Sequence, residues 1–384
     1  MASFRFGGDV STASAPAHAH GLDALRAAAA LAVLGLHGVL VGGWTDYPEH
    51  GPLAWLRVGF LGVDVFFVLS GYVITQSALT LMQSAGPDWR RAFLWRRAAR
   101  LYPLYLLSSL LFLACVQATA LQGEDALWQV FSHLLLVHNL LPSTAGSING
   151  VSWSIGTEAQ CYLLTLLLLP WLRQRPVWRI ALAALLLAWI WRAGGWWLLA
   201  WLQPGASDAL HSHLATQAPG FADAYGLGTA LALLPSGFAA SRGARSLCLL
   251  AGLLLMALSA EFYLRYVHSG DYWRSPASAA LLRSLPALAA ALLVLGLRHW
   301  RAAPRAPWVL LGVWSYGVYL WHLPVLLWLQ AHTPWRAGTL LAATLALTVA
   351  LSALSWYALE RPAIRWARRR ATAAAVGSPP AAPA

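Results

Sequence analysis

GLDALRAAAALAVLGLH, Gly21 to His37, opens the first long apolar run of the chain and carries Arg26 and His37 within it. It reads as one helix. Eleven steps of about 100° make roughly three turns plus 20°, so the two side chains share a face, about 16 Å apart along the axis. An ionisable residue inside a membrane span is costly and usually faces a bundle interior or a watery cavity, where it marks a site. The bland alternative has Arg26 snorkelling at the cytoplasmic end while His37 is a satisfied helix–helix hydrogen bonder. The rest of the chain favours a site.

Hydrophobic residues make up 59% of the 384 and charged residues 10%. A soluble domain of this length cannot hide so much apolar surface, so an all-α, polytopic membrane bundle is expected. The net charge of +12 is carried by arginine alone, because the chain has no lysine. Those arginines lie between apolar runs, as topology signals do, which argues against nucleic acid as a partner. Cys115, Cys161 and Cys248 fall inside apolar runs without metal-type spacing, so neither a disulfide framework nor a metal site is expected. Residues 1–20 lack the compact basic and apolar regions of a cleaved signal peptide, which makes the first span an uncleaved anchor. No repeat of fixed period is visible.

Ten spans are expected, at 24–43, 58–79, 101–121, 153–172, 178–201, 219–236, 245–263, 279–297, 308–330 and 338–358, each near the twenty residues needed to cross hydrocarbon. With both termini in the cytoplasm, nineteen arginines fall in cytoplasmic segments, four outside (Arg57, Arg265, Arg274, Arg336) and three within spans (Arg26, Arg192, Arg283). That asymmetry is a positive-inside signal; the expected location is the inner (plasma) membrane of a bacterial-type cell. The apolar segment 125–141 would invert every later loop if it crossed, so it reads as a re-entrant or interfacial helix. The domain plan is a disordered segment 1–20, a membrane domain 21–366 and a disordered Ala/Pro-rich tail 367–384.

Several stretches are more polar than packing requires. The first helix is led in by Asp23. In GFLGVDVFFVLSGYVIT (Gly59 to Thr75), Asp64 and Ser70 interrupt a span, while Gly62 and Gly71 permit close helix approach. RRAFLWRRAARLYPLY (90–105) places Arg90, Arg91, Arg96, Arg97 and Arg100 on a basic amphipathic helix. Such a cluster either sets topology and attracts anionic lipid or grips a phosphate-bearing ligand through bidentate hydrogen bonds. SWSIGTEAQCY sets Glu158 a few residues into a span with Ser152, Trp153 and Ser154 at its lip. SYGVYLWHLP places His322 inside the ninth span, and Glu360 of SWYALERP marks the end of the tenth.

Together, GLDALRAAAALAVLGLH, GVDVFFVLSGY, RRAARLYPLY, SWSIGTEAQCYLL, SYGVYLWHLP and the closing ERP resemble acyltransferase family 3 from about residue 20 to 366. The resemblance implies an integral-membrane O-acyltransferase that modifies cell-surface sugars, with ten spans as its core. It implies that Arg26 and His37 are the paired residues of the first helix needed for activity. Arg96, Arg97 and Arg100 would belong to the basic motif, and Glu158 would be the Glu of the Ser-Trp-Ser motif. Two positions depart from the pattern: Cys161 stands where an aromatic is usual, and Phe221 where a basic residue often precedes the sixth span.

The expected chemistry is O-acetylation, or transfer of a longer acyl group, from cytoplasmic acyl-CoA (acetyl-CoA) to a hydroxyl of a carbohydrate or glycolipid acceptor. The nucleotide phosphates would meet Arg90, Arg91, Arg96, Arg97 and Arg100, and the pantetheine arm would pass Arg26 toward His37. Imidazole can take a hydroxyl proton at neutral pH or carry the acyl group as a relay. Arg26 would stabilise charge on the donor or hold His37 through a carboxylate, for which Asp64 and Glu158 are the candidates. A secondary transporter also places Arg, His and Glu in its spans and is the rival reading; an inactive scaffold subunit is a third.

Overall fold

The computed structural model describes residues 19–117, 121–122, 125–268, 275–303 and 305–376, and is helical with no strand among them. In chain order the helices are α1 (His20–Leu40), α2 (Leu61–Ser84), α3 (Trp89–Cys115), α4 (Ala126–Leu134), α5 (Pro142–Ala145) and α6 (Trp153–Leu172). Then come α7 (Val177–Leu202), α8 (Asp208–Ala215), α9 (Ala222–Ala232), α10 (Arg242–His268) and α11 (Ser284–Leu297). The last are α12 (Pro307–Val313), α13 (Ser315–His332), α14 (Ala337–Ser355) and α15 (Arg361–Val376). Hydrocarbon offers no partner to a free peptide group, so apolar sequence there must satisfy its backbone within helices.

Among the described residues, eight helical segments are long and apolar enough to cross a bilayer, or nine if α12 and α13, bent by 75°, form one broken span. The protein is a multi-pass membrane bundle. The sixth expected span, 219–236, is instead the eleven-residue α9. It is too short to cross alone, and almost every side chain on it is buried in protein. Its backbone lies directly against α2: a methyl group at Gly71 would overlap the Tyr225 carbonyl, and one at Gly228 the Val68 carbonyl. Helix α2 is the hub, in contact with α1, α3, α6, α9 and α11. By contrast, α7 and α10 turn rows of leucine and tryptophan outward, among them Trp178, Leu187, Ile190, Leu250 and Leu254, as a lipid-facing surface does.

Segment 125–141 does not cross. Its one regular helix, α4, has nine residues, with Leu127, Trp128, Phe131 and Leu134 exposed and Ser132 and His133 buried, the division of an interfacial helix. The tail departs from expectation. Instead of disorder from 367, α15 continues to Val376, because its Arg/Ala-rich sequence is a good helix former and the Trp366 ring packs edge-on to Trp95 of α3 at 5.7 Å. At the other end, His20 already begins α1. The remaining expectations of disorder, at 1–18 and 377–384, and Arg274 lie outside the described residues.

Two of the arginines assigned to spans are tied to carboxylates in the interior. Arg192 gives Nη2 to both oxygens of Asp223 at 2.8 Å and Nε to Gly220 O at 2.9 Å, and Ser284 Oγ donates to Asp223 Oδ2 at 2.5 Å. Arg283 lies 3.6 Å from Asp64. These pairs pin α7 to α9 and α11 to α2. Side-chain exposure at the first pair is 0% and 1%, so removing one partner strands a buried charge. Arg192→Ala is expected to lower stability by about 3–5 kcal/mol, read as the unfolding midpoint of detergent-solubilised protein against wild type.

Candidate functional site

A cavity of about 450 Å³ opens between α1, α2, α3, α6, α13 and α15. Each wall is set by local sequence. Asp23 occupies the first turn of α1, where Gly312 leaves room for α12 to press against its backbone, and Asp23 Oδ1 accepts from Arg26 Nη1 at 2.7 Å. On α3, Arg96, Arg97 and Arg100 are one turn or less apart and all line the cavity, joined by Arg26 and by Arg368 of α15. Five guanidinium groups therefore face two carboxylates, Asp23 and Glu158, on the same wall. The surplus is positive.

The arginines are held differently. Arg100 Nη1 donates to Glu360 Oε2 at 2.5 Å, where a π-helical turn, Trp356–Glu360, swings the buried carboxylate inward, and its guanidinium stacks over Tyr316 at 5.0 Å. Arg97 lies between the Phe93 and Tyr162 rings, at 5.8 Å and 5.9 Å. The Nε atoms of Arg96 and Arg97 are buried without a hydrogen-bond partner. Buried donors without acceptors are costly, and at the edge of a cavity they suit an anion with several oxygens. Glu158 takes hydroxyl donors, Ser70 Oγ at 2.5 Å and Tyr162 OH at 2.7 Å.

Phe66 and Tyr319 line the cavity, and their rings meet edge-on at 5.9 Å. Tyr319 OH lies 2.7 Å from Ser154 Oγ and donates to Val151 O at 3.0 Å. Directly behind it stands His322, with its ring centroid 5.9 Å away, and His322 Nε2 is 3.1 Å from His37 Nδ1. His322 is fully buried, whereas His37 keeps part of its surface exposed.

The expected residues therefore divide. Arg26, Asp23, Ser70, Glu158, Arg96, Arg97 and Arg100 meet in one cavity, with Glu360 behind Arg100. His37 does not line it; an aromatic layer stands between, and His37 pairs with His322. The two carboxylates expected to hold Arg26 or His37 do neither. Arg26 takes Asp23, its neighbour one turn away, while Asp64 is paired with Arg283 and is absent from the cavity wall. Arg90 and Arg91 also lie outside the cavity, exposed on the first turn of α3, where Arg90 covers the Trp89 ring at 5.0 Å. Trp153 stacks toward Phe221 at 6.1 Å and plays a packing part. The sequence reading passed over Tyr316, Tyr319 and Arg368. The first two were visible as a stripe with His322, three residues apart on one helix face; Arg368 was read only as topology.

A family model described as an acyltransferase domain matches residues 19–358. BcsY of Komagataeibacter xylinus, which carries the name of a membrane-bound transacylase, is 30% identical over 341 residues, covering 83% of this chain and 80% of that protein. Peptidoglycan O-acetyltransferase OatA of Listeria monocytogenes is 30% identical over 158 residues, 37% of this chain and 23% of OatA. Acyltransferase MdmB of Streptomyces mycarofaciens is 33% identical over 165 residues, 41% of each chain. The alignments thus span most of the first relative and less than half of the other two. No solved structure matches.

Arg100 and Glu360 are expected to behave as a coupled pair. Glu360→Ala leaves the guanidinium without its acceptor and should cost about 1–3 kcal/mol, since Arg100 remains 26% exposed. The double variant with Arg100→Ala should recover part of that loss, a coupling measured by a double-mutant cycle in thermal unfolding.

Proposed function

The chain belongs to the acyltransferase family whose model spans residues 19–358, and on that premise we propose an O-acyltransferase that takes its acyl group from cytoplasmic acyl-CoA. Acetyl-CoA is the simplest donor, and the acceptor is a hydroxyl of a cell-surface carbohydrate or glycolipid. Membership makes the protein an acyltransferase embedded in a lipid bilayer; donor, acceptor and residue roles are our reading. One observation carries it: a cavity lined by an arginine surplus is also lined by Tyr319, whose ring lies against a pair of histidines.

A phosphorylated nucleotide suits the mouth, where Arg96, Arg97 and Arg368 offer forked donors to phosphate oxygens. Exposed Arg90 and Arg91 at the rim add attraction by charge alone. The pantetheine arm, slim and uncharged, then runs past Arg26 between α1, α2 and α6. For its thioester to meet His37, the Tyr319 ring must turn aside, giving up its bonds to Ser154 and Val151. That cost is met only when a donor fills the cavity, and it keeps the thioester from water until then. Glu158, held by Ser70 and Tyr162, shapes the wall beside the arm.

At the far end, His37 takes the proton of the acceptor hydroxyl as its oxygen attacks the thioester carbon, or first accepts the acyl group itself. Either way the polar acceptor approaches from the end of α1 opposite the arginines, where His37 is partly exposed. On this reading both termini and the arginines face the cytoplasm, and the membrane is the inner membrane of a bacterial-type cell. Residues 21–366 act as one catalytic unit. The name of OatA as a peptidoglycan O-acetyltransferase supports a polysaccharide-modification role without fixing the acceptor.

His37→Ala is expected to leave the protein in the membrane and lower acyl transfer by about 10² to 10⁴-fold. Purified variant and wild type are compared by mass spectrometry of acylated surface glycans and by thiol release from acetyl-CoA. Unchanged turnover would remove His37 from the mechanism. Arg97→Ala with Arg100→Ala should weaken acetyl-CoA binding and flatten its salt dependence in calorimetric titration; an unchanged titration at low ionic strength would return these arginines to topology.

A further inference from the structure

The two imidazoles beyond Tyr319 allow one consistent placement of protons. A carbonyl oxygen only accepts, so His322 Nδ1, 3.1 Å from Val318 O, carries the hydrogen. In a neutral ring, His322 Nε2 then holds a lone pair. His37 Nδ1 faces that lone pair at 3.1 Å and Val33 O at 2.9 Å. Both are acceptors, so His37 Nδ1 carries a hydrogen shared between them, and the ring's lone pair is on Nε2. The reverse arrangement sets a lone pair of His37 against the Val33 carbonyl and needs a charged imidazole at His322, which is 0% exposed.

We propose that His322 is a positioning residue. It holds His37 in the Nδ1–H form and so makes Nε2 the atom that receives the acceptor's proton. This rests on the reading of His37 as proton acceptor and adds which atom acts and what fixes it. In the transfer step, the hydroxyl proton moves to His37 Nε2 while the oxygen–carbon bond forms and the carbon–sulfur bond breaks. The thiolate leaves and takes that proton, returning the imidazole to its neutral form. Between those moments the ring is positive, and its Nδ1–H remains donated to His322 Nε2. His322 thus stands where a carboxylate stands behind the histidine of a serine-protease triad, with a neutral acceptor in place of a charge. Should His37 carry the acyl group as a relay, the same lone pair on Nε2 is the nucleophile.

The fold gives His322 little freedom. Its own Nδ1 is tied to Val318 one turn back, and the neighbouring Trp321 Nε1 donates to Ser355 Oγ of α14 at 3.3 Å. Orientation of His37 therefore comes from two acceptors, the Val33 carbonyl on its own helix and His322 Nε2 on a second helix, α13.

The test uses the full-length protein in nanodiscs, with acetyl-CoA as donor and an N-acetylglucosamine oligosaccharide as acceptor. His322→Phe keeps a ring but removes the acceptor nitrogen. It should lower kcat about 10²-fold with KM for acetyl-CoA unchanged. His322→Gln, whose Oε1 can accept from Nδ1–H, should recover about tenfold of that. Histidine-selective 15N spectra provide a second readout: the signals lost in His37→Gln should be those of a protonated Nδ1 and an unprotonated Nε2, and should become a tautomer mixture in His322→Phe. Equal losses in Phe and Gln variants, or an Nε2–H signal for His37 in wild type, overturn the proposal. Activity that survives His322→Phe but not His37→Gln defeats this inference alone; activity that survives His37→Gln defeats the reading beneath it.

Discussion

A guanidinium or carboxylate placed in hydrocarbon has no water to turn to, so each must find a partner in protein or line a wet space. That constraint organises the bundle. Arg192 is spent on Asp223 and Arg283 lies against Asp64, both deep among α2, α7, α9 and α11. Arg100 is tied to Glu360 and Arg26 to Asp23. Arg96 and Arg97 are left with donors that meet no protein acceptor, and both face the cavity. Structural charges and site charges separate by whether they face the cavity.

The same separation explains why the short α9 is tolerated. Eleven residues cannot cross, yet α9 is walled by α2 and α7, and Gly71 and Gly228 let the α2 and α9 backbones touch. Asp223 at its start anchors Arg192. The ion-paired part of the bundle thus stands beside α2, which presents Phe66, Ser70 and Val73 to the cavity. Two polar groups result, the cavity-lining arginines and the imidazole pair, with Tyr319 between them. Such a partition suits a reaction whose donor and acceptor come from opposite sides of a membrane.

The long spans were legible because uninterrupted apolar runs leave a chain no alternative in lipid. So were Arg26, Glu158 and the α3 arginines as members of one site, since each is too polar for its surroundings. Pairing was not legible. On paper Asp64 and Glu158 are the candidates for a carboxylate linking Arg26 to His37, whereas packing gives Asp64 to Arg283, Glu158 to Ser70 and Tyr162, and Asp23 to Arg26. Nor was the aromatic layer, because Tyr319 in a span looks like any interfacial tyrosine until Ser154 is seen to meet its hydroxyl. His37 and His322 lie 285 residues apart, a contact that no local pattern encodes. Arg368 is hidden in a basic run whose charge suffices for topology, and the part of α15 beyond residue 366 in what reads as an Ala/Pro-rich tail.

The central claim is that one ligand reaches from the arginine mouth to the histidine pair by displacing Tyr319. Cryo-electron microscopy of the protein with a non-hydrolysable thioether analogue of acetyl-CoA tests it most directly. Phosphate density is expected against Arg96, Arg97 and Arg368, with the Tyr319 ring rotated away and the thioether sulfur within about 4 Å of His37. An analogue bound elsewhere, or bound at the arginines with Tyr319 still closed over His322, contradicts it.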